Sequence, residues 1–277
     1  LITSLQIKNF KAWKDTGSVK LAPVTLILGT NSSGKSSLLQ SLLLLKQTIA
    51  FPDRSIHLNF GGDETNDYFN FGQFEDVLRQ GANPRQFSLE FAIEHIKQPN
   101  PEVGEDVTFA ATYGDSNNGA VVQEVEIFGS NRRFKALRKG KGYYGLYIDD
   151  TLVSNSRDFA PERSIAFSIE AVHALGEAGA LVQDISLTIR RELENIAYLG
   201  PLRRRPERDY TWNKTIPGAF GVDGHHAIDA LLASAQPKNK ERMQVDLVAG
   251  VSKWLNRVLK NADAAFQHFK SRYNYAA

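Results

Sequence analysis

Val24-Thr-Leu-Ile-Leu28, then Gly29-Thr-Asn-Ser-Ser-Gly34-Lys35-Ser36, then Ser37-Leu-Leu-Gln-Ser-Leu-Leu-Leu-Leu-Lys-Gln-Thr-Ile49: this run decides how the rest of the chain is read. Its first five residues, apolar or β-branched, predict a short buried strand. The middle eight fit G-x-x-x-x-G-K-[ST], the phosphate-binding loop pattern. Leu38, Leu39, Leu42, Leu43 and Leu45 follow at mostly helical spacing. Strand, glycine-rich loop and helix in that order are the context in which the pattern becomes a site. Gly29 and Gly34 permit backbone approaches that a Cβ forbids. The N–H groups from Asn31 to Lys35 then form an anion nest backed by the helix N-terminus. Within Gly29, Thr30, Asn31, Ser32, Ser33, Gly34, Lys35, Ser36 and Ser37, Lys35 places its charge on the β- and γ-phosphates. The Ser36 hydroxyl is the Mg²⁺ ligand. A chance match in a chain of this length is on the order of one in a hundred, and the flanking elements lower it further.

Composition narrows the rest. A chain of 277 residues makes one large domain or two modest ones. Its 33 basic and 31 acidic side chains nearly cancel, so any surface for nucleic acid must be local. The absence of cysteine excludes disulfides, Cys-ligated zinc and thiol nucleophiles. No apolar run reaches ~18 residues, so no membrane span is expected. No leader is recognised, and a cytoplasmic chain is expected. The first residue is Leu1 rather than Met, as in a sequence trimmed at its front.

Along the chain, three segments are expected: 1–85, the loop-bearing part; 86–175, an antiparallel β meander; and 176–277, a helical segment. Residues 1–28 read as a hairpin feeding the loop, with Val19 to Leu28 returning as strands through Pro23. Phe87/Leu89/Phe91/Ile93, Val107/Phe109/Ala111/Tyr113, Val121/Val125/Ile127 and Ile165/Phe167/Ile169 alternate with period two, predicting strands with one polar face. Leu181, Ile185, Ile189 and Leu193 predict an amphipathic helix over about 177–194. Ile196 to Leu199 read as a strand stopped by Gly200-Pro201. Ile228 to Leu232 begin a short helix, and residues 245–259 form an amphipathic one whose apolar stripe is core or a partner contact.

Ile7-Lys8-Asn9-Phe10-Lys11, followed by Gly29 to Ser37, resembles the opening of the ATPase heads of the SMC, RecF and OLD-like family. The string Tyr198-Leu-Gly200-Pro201-Leu-Arg203, continuing to Pro206, Arg208 and Tyr210, resembles a signature of a prokaryotic, AAA-type subgroup of it. The resemblance implies an α/β fold of the ABC/SMC head type, with an antiparallel β layer and a helical segment. It implies ATP and Mg²⁺ as ligands, and Gln73 as the glutamine that reaches the metal and the attacking water. A polar loop residue is the plainer reading of Gln73. Lys8 and Lys11 become candidates for phosphate or DNA, against a reading as solvated lysines. Arg203 and Arg208 suit bidentate contact with phosphate or carboxylate, or a structural ion pair. No sustained heptad exists, so a long cohesin- or condensin-type arm is excluded.

Three further constellations are weaker. Residues 131–144 hold six basic side chains and three aromatics without an acid, a pattern that suits single-stranded nucleic acid or a solvated hairpin. Asp149-Asp150 follow an apolar run as a catalytic acidic pair would, but their surroundings read as a hairpin turn. Asp223, His225 and His226 are spaced poorly for a metal. A Ser-Gly-Gly signature and an apolar strand ending in acids are missing after Pro201, so the sequence is read as the N-terminal part of a longer ATPase, or as one from which disordered residues were dropped. The family implies ATP hydrolysis across a head-to-head homodimer or higher oligomer that switches a partner or nucleic acid. It further implies service in anti-phage defence or DNA repair with a nuclease effector. A non-hydrolysing nucleotide-binding scaffold is the alternative. A GTPase lacks its Asn-Lys-x-Asp here, and a small-molecule kinase its acceptor site and lid.

Overall fold

The computed structural model describes residues 1–53, 56–62, 67–94, 104, 106–116, 119–140, 142–202, 205, 216–217, 221–235 and 247–273. The chain is a mixed α/β protein whose residues Leu1–Ile196 and Ala197–Ala277 form two compact units. Among the described residues, nine strands of the first unit form one antiparallel sheet. They are β1 (Ile2–Phe10), β2 (Trp13–Asp15), β3 (Val19–Lys20), β4 (Gln86–Ile93), β5 (Val107–Ser116), β6 (Gly119–Phe128), β7 (Arg133–Gly140), β8 (Tyr143–Ile148) and β9 (Thr151–Ser156). The order is β2-β1-β4-β5-β6-β7-β8-β9, with β3 sharing the outer edge of β1 with β2. β1 pairs directly with β4, Leu5 opposite Phe91 and Ile7 opposite Leu89, so the N-terminal strands and the meander are one sheet.

Alternation gives the sheet two faces. Phe87, Leu89, Phe91 and Ile93 of β4, Phe109 and Tyr113 of β5, Val125 and Ile127 of β6 and Phe134 of β7 turn to the core. Helices α1 (Lys35–Ala50) and α4 (Glu177–Glu194) join that core through Leu42, Leu44, Leu45 and Ile49, and through Val182, Ile185, Ile189 and Leu193. Each such side chain contributes about 1.5–3 kcal/mol when fully buried. The opposite face carries Gln6, Lys8, Ser88, Thr112, Glu124 and Glu126, with Ser88 and Thr112 hydrogen-bonded at 2.9 Å. The short helices α2 (Phe74–Val77) and α3 (Ile169–Ala174) complete the first unit. In the second unit, α5 (Ala227–Ala235) packs on α6 (Leu247–Tyr273). Val251, Trp254, Leu255 and Leu259 of the α6 stripe are exposed. Among the described residues, no helix is long and apolar enough to cross a membrane.

Three expected strands are absent. Val24–Leu28 joins no ladder, and Val24, Leu26 and Leu28 are 80%, 80% and 86% exposed. The cause is local. Pro23 has no N–H to donate, and Thr25 Oγ1 both accepts from Ala22 N and donates to Ala22 O, turning the chain off the β1 edge after β3. Ile165/Phe167/Ile169 is a tight turn running into α3. Arg163 and Ser164 sit at φ 46° and 64°, and Ser168 caps α3 by accepting from Ala171 N at 3.2 Å. Ile196–Leu199 runs without a ladder, and Gly200 N bonds to Val222 O at 2.7 Å.

One partly buried group makes stability pH-dependent. His57, whose carbonyl takes the Ser164 hydroxyl, is held below its ordinary pKa by burial first and by the Arg138 guanidinium second. The unfolded chain therefore binds a proton that the fold refuses. Stability from this group is full above about pH 6.5 and is lost as the pH falls from there toward the depressed folded value. Urea unfolding at pH 7.5 and pH 5.5 should show this acid loss, and His57→Gln should remove its share; an identical loss in the variant would discount His57 as its source.

Candidate functional site

The loop Gly29–Ser37 leads into α1, which is 16 residues long and begins at Lys35. Gly34 precedes it at φ 85° and ψ 8°, left-handed angles that a side chain resists, and Ser32 lies at φ 62°. A Cβ at Gly34 would also stand 2.7 Å from the indole nitrogen of Trp13. No side chain caps α1. Within the loop, Ser33 N reaches Thr30 O at 3.4 Å and Ser37 N reaches Gly34 O at 3.0 Å. Among the described residues, the N–H groups of Asn31, Ser32, Gly34, Lys35 and Ser36 bond to no acceptor. These are donors that a helix N-terminus leaves over, together with the positive end of the α1 dipole.

Lys35 curls back over this nest, donating through Nζ to Gly29 O at 3.0 Å and Thr30 O at 2.5 Å. An ammonium on two neutral carbonyls is placed to exchange them for anionic oxygens, which bind it more strongly. Among the described residues, the exposed Ser36 hydroxyl finds no hydrogen-bond partner, and it is open to a metal ion. The residues present therefore fit a polyphosphate with Mg²⁺. Asn31, Ser32, Gly34, Lys35 and Ser36 would hold its oxygens by backbone, Lys35 also by charge, and the Ser36 hydroxyl would ligate the cation. The cation supplies neutralisation of phosphate charge.

The other candidates fall in different places. Gln73 is exposed at the start of α2, where its N–H donates to Asp76 Oδ2 at 2.7 Å, and it makes no hydrogen bond to the loop. Lys8 sits on the polar sheet face opposite Asp15. Lys11 is half-buried with its ammonium 5.3 Å from the centre of the Phe71 ring, and desolvation lowers its pKa. This cation–π contact differs from the alternative reading of Lys11 as a solvated lysine. Asn9 and Lys11, at φ 52° and 49°, make the turn between β1 and β2. Lys11 N→Val77 O at 2.7 Å and Arg79 N→Asn9 O at 2.8 Å tie that turn to the α2 segment.

The basic segment 131–144 is β7, its turn and the start of β8, and it is largely paired. Arg132 meets Asp149 at 3.1 Å, Arg133 meets Glu126 at 2.9 Å, and Lys135 lies between Glu124, Glu126 and Asp150. Asp149 and Asp150, at φ 47° and 64°, are the β8–β9 turn, as their surroundings indicated. In the second unit the two histidines have separate partners, His225 with Asp223 and His226 with Asp229 at 3.1 Å. The hydrogen bond from His225 holds the Asp223 carboxyl below the usual carboxylate range. Among the described residues, no three His, Asp or Glu side chains are grouped to hold a metal. Arg203 and Arg208 lie outside the described residues.

Sequence reasoning missed Trp13. Its Nε1 donates to Gly34 O at 2.9 Å across 21 residues of chain. The aromatic two residues past Asn9-Phe10-Lys11 was the only available signal, and nothing in it names Gly34.

A family model described as an AAA ATPase domain matches residues 1–155. A solved chain from the structural biochemistry of ATP-driven dimerization and DNA-stimulated activation of SMC ATPases aligns with 70% of this chain and 96% of its own length. The identity is 14% and the TM-score 0.28, a remote likeness; the architecture rests on the strand pairing described above. Among curated proteins none matches the chain.

Proposed function

The chain belongs to the AAA ATPase domain family, and we propose that it binds ATP with Mg²⁺ in the loop Gly29–Ser37 and acts as a nucleotide-dependent switch. The observation that carries this is the set of N–H groups of Asn31, Ser32, Gly34, Lys35 and Ser36, without an acceptor among the described residues at the uncapped start of α1, with the Lys35 ammonium above them. Lys35 and Ser36 bind and neutralise; Gln73 is proposed to orient water once nucleotide draws α2 toward the loop. Hydrolysis requires an acid that Asp149 and Asp150 do not supply, being engaged with Arg132 and Lys135 in a hairpin turn. That acid and the signature segment are proposed to come from elsewhere, in a head-to-head dimer that sandwiches ATP. By family resemblance, the switch acts on a partner or nucleic acid, in defence against phage or in DNA repair.

The same engagement of Asp149 and Asp150 favours a second reading for residues 1–277 alone, a scaffold that binds ATP without turning it over. Titrating the purified chain with a fluorescent ATP analogue and following phosphate release tests both. Saturable, Mg²⁺-dependent binding is expected, with release at or below about 10⁻³ s⁻¹, the range of a P-loop site lacking its transition-state partner. Absence of saturable binding would sink the nucleotide reading, and release much faster than that range would remove the need for an outside acid.

A further inference from the structure

We propose that Trp13 is a positioning residue for the phosphate-binding loop, latching the Gly34–Lys35 peptide so that the Lys35 N–H is aimed at the anion. This rests on the reading of Gly29–Ser37 as the nucleotide phosphate site. The Gly34 carbonyl receives two donors, Trp13 Nε1 at 2.9 Å and Ser37 N at 3.0 Å. Across a trans peptide the carbonyl of one residue and the N–H of the next point in opposite directions. Holding the Gly34 oxygen toward the indole therefore turns the Lys35 N–H away from it, and among the described residues that N–H is left without an acceptor.

The latch is anchored by backbone. Trp13 opens β2 directly opposite Phe10, and the intervening turn is held by Lys11 N→Val77 O and Arg79 N→Asn9 O. The half-buried ring packs on the apolar core and lies close against Gly34, where a Cβ would displace it. Gly34 thus has a second requirement beyond its left-handed angles, since the indole occupies the space of its missing side chain. Without the indole this peptide is held by the Ser37 N–H alone, and a rotated peptide would present a carbonyl to the phosphate. Removing the donor releases that rotation without touching Lys35 or the core of α1.

Trp13→Phe keeps a ring and deletes the N–H, while Trp13→His keeps a ring N–H on a smaller frame. Calorimetric titration with inorganic pyrophosphate and with Mg·ADP should show about tenfold weaker binding for Trp13→Phe, the value of one hydrogen bond. Trp13→His should recover much of it, with thermal unfolding midpoints of both variants near wild type. In ligand-free protein, the ¹H–¹⁵N signals of Gly34, Lys35 and Ser36 should broaden or split in Trp13→Phe, a change that a merely structural role for the ring would not confine to these amides. Equal affinities of wild type and Trp13→Phe, or unchanged loop amide signals, would overturn the latch and leave the nucleotide reading standing. Wild-type protein that binds neither probe overturns the nucleotide reading, and the ligand-free amide signals then decide the latch by themselves.

Discussion

Lys35→Ala lowers Mg·ATP affinity by about a hundredfold or more, with the urea unfolding midpoint unchanged: this is the expected result with the largest functional effect. The side chain is the loop's concentrated positive charge, held above the nest by Gly29 O and Thr30 O. Charge-assisted bonds are worth ~1.5–3 kcal/mol each, and two exchanged onto phosphate oxygens account for a loss of at least two decades. Stability should change by no more than about 0.5 kcal/mol, because the ammonium touches only loop carbonyls at the surface and supports no packing. Titration with the nucleotide analogue and urea melts on the same samples measure both halves. Undiminished affinity would remove Lys35 from the site, and lost affinity with lost folding would make the residue structural.

The largest expected effect on stability comes from Phe87→Ala, at about 3–5 kcal/mol. Phe87 is fully buried, and its ring lies 5.4 Å from Phe10, 5.6 Å from Phe74 and 5.2 Å from Tyr113. Those neighbours belong to β1, α2 and β5, elements fixed by separate ladders and turns. They cannot all move inward to fill the space, so most of the cavity remains and its cost is felt. Phe87→Leu should cost far less, since it leaves a smaller void. The effect should also reach the loop, because Phe10 carries the Asn9–Lys11 turn that brings Trp13 to Gly34. Denaturant titration measures the loss, and a value below 1 kcal/mol for the alanine variant would mean that the cluster repacks.

Local patterns in this sequence were reliable where the signal and the structure share a length scale. The eight-residue loop motif, the helical leucines of α1, the period-two runs of β4, β5 and β6 and the four-residue spacing of α4 each specify an element from within it. They failed where a neighbouring residue overrides periodicity. Val24–Leu28 has the composition of a buried strand, yet Pro23 and the Thr25 hydroxyl end the β3 ladder before it begins. Ile165, Phe167 and Ile169 alternate, yet the Ser168 hydroxyl caps a helix at the third of them. Among charged residues, Lys11 and the 131–144 segment show that charge counted along a chain says little of solvation. An aromatic face lies under Lys11, and acids from β6 and the β8–β9 turn pair Arg132, Arg133 and Lys135.

The sequence by itself determined that a loop with the phosphate-binding pattern opens α1, and which backbone and side-chain groups it presents. Glycine, lysine and serine at that spacing act through the geometry of their own peptide units and need no distant partner. Only the tertiary structure decided that β1 joins the meander through β4, that Asp149 and Asp150 pair with Arg132 and Lys135, and that Trp13 holds Gly34. Each of these is a contact between residues far apart in sequence. Such contacts depend on which edges and faces remain free once every local element has formed.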